Sequence, residues 1–186
     1  TVYNGIETRH FQYNDSPEDY LLFFGRIHPD KGTAEAIQIA IQSKRRLIIA
    51  GIVQDANYFK EKVEPYLNAD IEFIGSAGPE KRNELLGKAS ALLHPINFEE
   101  PFGLSVAEAM LCGTPVIAFN KGSMPELIKN KETGFLVSDI TTAVSAVEDL
   151  GQINRLHCRE WASSQFSQEK MVADYIANYH KIVKNY

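Results

Sequence analysis

The stretch ALLHPINFEEPFGLSVAEAMLCG, residues 91–113, joins a short apolar run to a helix-forming run and carries two glutamates eight positions apart. Its first three residues predict a buried strand, and the run from Leu104 to Cys112 predicts a helix. We therefore expect Glu100 at the carboxyl end of the strand and Glu108 about a turn and a half into the helix. A strand, a turn and a helix in this order are typical of α/β proteins.

The turn between the two glutamates predicts an anion site. The backbone amides of Phe102, Gly103 and Leu104 would lie at the helix start, where they have no partner inside the helix. Such amides bind anions. Because the flanking glutamates can accept hydrogen bonds from hydroxyl groups, the pattern suits a sugar that is joined to a nucleotide through a diphosphate.

The rest of the sequence repeats the alternation of strand and helix. Predicted strands are 20–26, 46–51, 70–75, 91–95, 115–119 and 134–137, and predicted helices are 32–43, 55–67, 79–88, 104–112, 123–128, 140–150, 154–163 and 168–183. The second strand is apolar almost throughout, which is typical of a parallel strand covered on both faces. We predict an α/β fold: a Rossmann-like open parallel sheet of about six strands, with helices on both faces and a helical C-terminal tail.

Composition narrows the class of protein. The chain has 186 residues, of which 44% are apolar and 23% charged, enough for one domain with a core. The formal net charge is −5 without a basic block, which argues against nucleic acid as a partner. Cys112 and Cys158 have neither metal-ligand spacing nor a disulfide framework. We see no apolar run near the roughly 20 residues of a membrane span and no signal peptide, and so we expect a cytoplasmic protein.

Residues that suit a ligand follow two further predicted strands, at the edge where open parallel sheets bind ligands. Gly25, Arg26 and Lys31 follow the first strand, and the two cations could reach the anion of the glutamate turn. Ser76 and Ala77 follow the third strand, in a small-residue turn against which a flat base could lie. Each residue alone could be a surface charge or a turn residue, but their joint occurrence favours one ligand crevice.

His94 ends the fourth predicted strand and has two interpretations. It could contact a base or a sugar, or it could be a structural histidine with satisfied hydrogen bonds. The sequence leaves both open. The other histidines show no metal-ligand pattern, and no metal site is predicted.

Several signatures together resemble a known family. They are Gly25-Arg26 followed by Lys31-Gly32, the Glu100–Glu108 stretch with its internal Pro-Phe-Gly, the segment 108–117, and the segment 122–126. This combination resembles the C-terminal, donor-binding domain of family 4 retaining glycosyltransferases with GT-B architecture. The resemblance covers nearly the whole chain, with Ser123 where many relatives have a second glycine and His94 where the strand end is usually apolar.

The resemblance implies the donor-binding half of a retaining, metal-independent glycosyltransferase without a cofactor. Such an enzyme moves a sugar from a UDP, GDP or ADP sugar to an acceptor hydroxyl of a glycan, lipid or small molecule. Residues 1–186 would be one nucleotide-sugar-binding domain, with 1–15 as a remnant of the interdomain linker and 152–186 as the C-terminal helices. The N-terminal acceptor domain would be a missing partner, so the domain alone should transfer no sugar. Association with the inner face of a membrane stays open.

The resemblance also assigns roles to residues. Arg26 and Lys31 would neutralise the diphosphate and Glu100 would contact the transferred sugar, which makes these three the candidate catalytic residues. The amides of Gly103 and Leu104 would bind the distal phosphate, and Glu108 would bind the ribose hydroxyls. The candidate nucleotide-sugar-binding residues are Gly25, Ser76, Ala77, Phe102, Gly103, Leu104 and Glu108.

Two other functions stay open at this point. One is a non-catalytic nucleotide-binding or regulatory module. The other is a different GT-B enzyme, such as a sugar-nucleotide epimerase or a phosphorylase, although we identify no lysine site for pyridoxal phosphate. A metal-dependent transferase of the GT-A class would need an Asp-x-Asp motif, which the sequence lacks.

Overall fold

Six parallel strands form one open sheet. The computed structural model describes residues 1–184. The strands are β1 (Leu21–Phe24), β2 (Leu47–Ala50), β3 (Ile71–Phe73), β4 (Ala91–His94), β5 (Val116–Phe119) and β6 (Gly134–Val137). They lie in the order β3-β2-β1-β4-β5-β6, and all neighbours are parallel. This order is that of doubly wound dinucleotide-binding folds, and it confirms the predicted Rossmann-like α/β class.

Helices connect the strands and form the tail. They are α1 (Thr33–Ser43), α2 (Ala56–Lys62), α3 (Pro79–Lys88), α4 (Leu104–Leu111), α5 (Met124–Leu127), α6 (Ile140–Glu148), α7 (Arg155–Phe166) and α8 (Gln168–Lys184). On the sheet, α1 packs against α6, and α4 packs against α7 and α3. The predicted helical tail is therefore present, as α7 and α8.

Burial explains why the sequences of β1, β2 and β5 are apolar throughout. All four residues of β2 are buried, and so are all four of β5. β1 lies between β2 and β4, with Leu21 opposite both Leu47 and Ala91. A strand with parallel neighbours and helices on both faces has no side that meets water, so its side chains do not alternate in polarity.

The structure differs from the predicted elements in strand length, in several helix ends and in one interrupted helix. Five of the predicted strands are longer than the observed ones. The helix predicted at 55–67 is also interrupted: α2 ends at Lys62, and a separate 3₁₀ turn covers Glu64–Tyr66. Pro65 accounts for the interruption, because it lacks an amide hydrogen and its ring clashes with the preceding helical turn.

The N-terminal segment is held against the helical tail. The amide of Ile6 donates to the carbonyl of Phe166 at 2.8 Å, and the amide of Gln168 donates to the carbonyl of Ile6 at 3.0 Å. The amide of Gly5 also donates to Met171 Sδ at 3.1 Å, yet none of the described residues of α8 is buried. The apolar side chains exposed along α8 are Val172, Tyr175, Ile176, Tyr179, Ile182 and Val183.

Within residues 1–184, no helix has the length and apolar character that a membrane crossing requires.

Candidate functional site

A cavity of about 440 Å³ opens at the carboxyl ends of β1 and β4. These two strands are neighbours at the point where the strand order reverses, which is where open α/β sheets bind their ligands. All the predicted site residues except two line it: Gly25, Arg26, Lys31, Glu100, Phe102, Gly103, Leu104 and Glu108. The sequence did not assign the other lining residues to the site: Asn4, Phe23, Phe24, Arg82, His94, Pro101 and Ser105.

Ser76 and Ala77 lie outside this cavity. They line a separate hollow together with Tyr20 and Arg46. The reason is the position of their strand, because β3 is separated from β1 by β2 and neighbouring strands are about 4.8 Å apart. Their predicted contact with a base therefore stays a prediction.

Lys31 and Glu100 form an ion pair beyond the carboxyl end of β1. The Lys31 ammonium lies 2.5 Å from Glu100 Oε2, and the two side chains are only 15% and 13% exposed. Lys31 ends a short 3₁₀ turn that is followed by Gly32, whose φ of 75° lies in the left-handed region. Its ammonium also lies 4.4 Å from the centre of the Phe98 ring. The predicted cation and the predicted carboxylate thus contact each other directly.

Glu100 lies near the carboxyl end of β4, where the sequence predicted it, but it belongs to a loop and does not directly follow the strand. β4 ends at His94, and residues 95–103 form a loop before α4. Pro95 has no amide to continue the strand ladder. The loop then turns back toward the sheet, since the Asn97 amide donates to the Asp30 carbonyl at 2.7 Å. Glu100 consequently reaches the cavity from the loop, above the strand end.

The start of α4 carries unpaired amides on residues that line the cavity. Within residues 1–184, the amides of Gly103, Leu104 and Ser105 donate to no protein group. Gly103 has a φ of 94°, a left-handed conformation that costs glycine little. Unpaired amides at a helix start can bind an anion, so the anion site at this turn stays a prediction.

Glu108 pairs with Arg82, a residue that the sequence analysis missed. Arg82 Nη1 donates to Glu108 Oε1 at 3.1 Å, and the Glu108 side chain is 12% exposed. Burial raises the pKa of the Glu108 carboxyl above its ordinary value, and the Arg82 guanidinium opposes that shift. Arg82 lies inside α3 rather than at a strand end, so it enters the site only through the packing of α3 against α4. No sequence signal marked it.

Arg26 and Asn4 complete the rim of the cavity. Arg26 is exposed, and its Nη1 donates to Gln54 Oε1 at 2.7 Å. An exposed hydrogen bond of this kind exchanges readily for one to an anionic ligand, because ionic hydrogen bonds are stronger than neutral ones. Asn4 comes from the N-terminal segment and adds an amide side chain.

His94 is buried at the base of the cavity, with one ring nitrogen unsatisfied. Its Nε2 has no hydrogen-bond partner in the part of the chain that the structure describes, and it lies 3.9 Å from Glu100 Oε2. Burial, and secondarily the charge of Lys31, lowers the pKa of His94 to about 3. The imidazole is therefore neutral at physiological pH. A ring nitrogen without a hydrogen-bond partner contradicts the interpretation of His94 as a structural histidine whose hydrogen bonds are all formed.

Lowering the pH from 7 to 5 is expected to reduce the free energy of unfolding by about 2 kcal/mol through His94 alone. The folded chain keeps this imidazole neutral, whereas the unfolded chain protonates it near its ordinary pKa of 6.5. This stabilisation is complete above pH 6.5 and is lost as the pH falls toward 3. Urea denaturation at both pH values should show a smaller pH dependence for His94→Gln than for the unsubstituted chain. An equal pH dependence would contradict the buried neutral imidazole.

The site combines positive charge, free amides and two carboxylates within one crevice. The guanidinium groups, the ammonium and the amides suit an anion, while the carboxylates on either side suit hydroxyl groups. Among the residues that the structure describes, no group of three or more His, Cys, Asp or Glu side chains is arranged to hold a metal ion.

Comparison with known proteins gives a consistent result. Residues 6–156 match the family model described as "Glycosyl transferases group 1". The chain is 27% identical to the N-acetyl-alpha-D-glucosaminyl L-malate synthase of Bacillus anthracis, over an alignment that covers 100% of this chain and 54% of that protein. The chain spans about half the length of the curated relatives it matches.

Solved structures show the same fold. AviGT4, a glycosyltransferase of avilamycin A biosynthesis, superposes with a TM-score of 0.84 at 25% identity, over 100% of this chain and 59% of that chain. HepE of Anabaena, solved in complex with UDP-glucose, superposes with a TM-score of 0.75 at 22% identity, over 95% of this chain and 57% of that chain.

Proposed function

Because the chain belongs to the glycosyl transferases group 1 family, we propose that it is the donor-binding domain of a retaining, metal-independent glycosyltransferase. The enzyme would transfer a sugar from a nucleotide-diphosphate sugar to an acceptor hydroxyl group. One observation carries the proposal: the free amides at the start of α4 lie between Glu100 and Glu108, in the same cavity as Arg26 and Lys31. The complex of HepE with UDP-glucose supports a donor of this class.

The diphosphate would lie against the amides of Gly103 and Leu104. Lys31 can reach it without giving up Glu100, because an ammonium has three donors and Glu100 occupies one of them. Arg26 would exchange Gln54 for a phosphate oxygen. As the bond between sugar and phosphate breaks, negative charge grows on the leaving diphosphate, so these contacts strengthen toward the transition state. The proposal assigns the neutralisation of this charge to protein cations rather than to a divalent metal.

The ribose would bind at Glu108. Its carboxylate accepts hydrogen bonds, as the two ribose hydroxyl groups require, and the ion pair with Arg82 favours its ionised form against the cost of burial. Arg82 would thus position Glu108 rather than contact the diphosphate. The guanidinium carbon of Arg82 also lies 5.3 Å from the centre of the Phe11 ring, a cation–π contact that helps to hold the Arg82 side chain in place.

Glu100 would bind the hydroxyl groups of the transferred sugar. The proposal needs neither glutamate as a nucleophile: the acceptor would attack from the face that the diphosphate leaves, and the donor phosphate would help to deprotonate it. The acceptor would be held by a further domain, a proposal that the roughly twofold greater length of the curated relatives supports.

Calorimetric titration with UDP, GDP and ADP, without divalent metal, tests the proposal. We expect one nucleotide to bind selectively, and we expect Glu108→Ala to weaken its binding roughly tenfold because contacts to the ribose hydroxyl groups are lost. The 2′-deoxy form of that nucleotide should bind the unsubstituted chain weakly and lose little further affinity in the variant. Glu61→Ala, at an exposed position on α2 outside the cavity, is the matched control.

Failure of the folded chain to bind any nucleotide would contradict the donor-site proposal. An unchanged affinity in Glu108→Ala would instead contradict the assignment of Glu108 to the ribose. Thermal unfolding of each variant establishes that the comparison is made between folded proteins.

A further inference from the structure

One ring nitrogen of His94 makes no hydrogen bond within the described part of the chain. The residue ends β4, is 6% exposed and lines the cavity. Its Nε2 is unsatisfied in the described part of the chain. A buried polar atom without a partner is costly, and such atoms in native proteins are few enough that each calls for an explanation.

The position of Nε2 relative to Glu100 indicates what would satisfy it. The 3.9 Å between Nε2 and Glu100 Oε2 is too long for a direct hydrogen bond. A single oxygen atom about 2.8 Å from each of them spans this gap. The gap therefore has the size of one bridging oxygen atom.

The chemistry of the two groups indicates which kind of oxygen fits. Ionised Glu100 only accepts hydrogen bonds, whereas a neutral imidazole with its hydrogen on Nε2 donates one. A hydroxyl group matches both, because it donates to the carboxylate and accepts from the imidazole. A phosphate oxygen does not match, since it has no hydrogen to donate and repels the carboxylate.

We propose that His94 and Glu100 hold one hydroxyl group of the transferred sugar between them, which makes His94 a specificity-determining residue. This inference rests on the proposed function, because it requires a nucleotide sugar in the cavity. Burial, and secondarily the Lys31 ammonium beside Glu100, lowers the pKa of His94, so the imidazole is neutral and forms no ion pair with Glu100.

Selectivity for the sugar follows from this arrangement. A donor whose sugar lacks the hydroxyl group, or directs it away, would leave both the carboxylate and the imidazole unpaired. Sites that bind a substrate hydroxyl group with buried polar groups reject analogues without it much more strongly than apolar pockets reject a size difference.

The test compares His94→Leu and His94→Gln with the unsubstituted chain. The ligands are the preferred nucleoside diphosphate, its sugar conjugate, and conjugates that each lack one sugar hydroxyl group. We expect His94→Leu to leave the affinity for the nucleoside diphosphate within about twofold and to weaken the complete conjugate roughly tenfold. One deoxy conjugate should bind the unsubstituted chain more weakly than the complete conjugate binds His94→Leu, because it loses the contacts to both Glu100 and His94. Loss of the same hydroxyl group should cost His94→Leu less affinity than it costs the unsubstituted chain, since only the Glu100 contact remains to be lost.

His94→Gln retains an amide donor near the place of Nε2, so it should keep part of the preference for the complete conjugate over the deoxy conjugate. It replaces the leucine variant in the test if that variant does not fold. His157→Leu, at an exposed position on α7, is the control. Equal weakening of the nucleoside diphosphate and its conjugate by both His94 variants would overturn the inference, as would unchanged affinity for both ligands. Absence of nucleotide binding by the unsubstituted chain would overturn the proposed function and this inference with it.

Discussion

Replacing Lys31 by methionine is expected to weaken binding of the nucleoside diphosphate roughly a hundredfold. The substitution removes the ammonium from the cavity but keeps a side chain of similar length that can still pack on Phe98. Two effects add: the charge-assisted contact to the diphosphate is lost, and the Glu100 carboxylate, no longer neutralised by Lys31, repels the anion. Calorimetric titration with the preferred nucleoside diphosphate measures the combined effect on the binding free energy.

Glu100→Gln separates these two effects. It removes the repelling charge and frees the Lys31 ammonium, so the nucleoside diphosphate should bind at least as tightly as it does to the unsubstituted chain. The additional affinity contributed by the sugar should disappear, because an uncharged amide is a weaker acceptor for hydroxyl groups than a carboxylate. Lys62→Met, at an exposed position on α2, controls for the general loss of a positive charge. Unaltered binding of the diphosphate by Lys31→Met would show that Lys31 does not contact it.

The predicted site residues that line the cavity belong to short local patterns. Apolar runs mark the strands, and the residues directly after β1 and at the start of α4 must lie at the carboxyl edge of a parallel sheet. For Gly25, Arg26 and Lys31, knowledge of the strand was therefore sufficient to predict the location. The same reasoning was insufficient for Ser76 and Ala77, because the strand order decides how far the end of β3 lies from the reversal point.

The residues that the sequence missed depend on contacts between distant parts of the chain. Arg82 reaches Glu108 because α3 packs on α4, and Asn4 reaches the cavity because Ile6 is hydrogen-bonded to the tail. Neither contact leaves a local pattern. His94 is intermediate: its place at a strand end was visible, but the choice between a satisfied and an unsatisfied imidazole needed the positions of its neighbours.

Gly32→Ala is expected to destabilise the fold by about 3 kcal/mol or more, which would be visible in urea denaturation. Gly32 has a φ of 75°, and an added Cβ would lie 1.8 Å from the carbonyl oxygen of Pro95. This oxygen belongs to the backbone just after β4, so it cannot move away as a flexible side chain could. An alanine at this position would also be strained, because its backbone would have to adopt a left-handed conformation.

Gly151→Ala is the matched control for this substitution. Gly151 is exposed, has no left-handed conformation, and an added Cβ would meet nothing within 4 Å, so its free energy of unfolding should change by less than about 0.5 kcal/mol. Equal free energies of unfolding for the two variants would show that the turn after β1 is not in close contact with the loop after β4. That close approach brings Lys31 to Glu100, so a Gly32→Ala protein that folds despite the strain should also bind the nucleoside diphosphate less tightly. Stability and binding are thus linked through one backbone contact at the reversal point of the sheet.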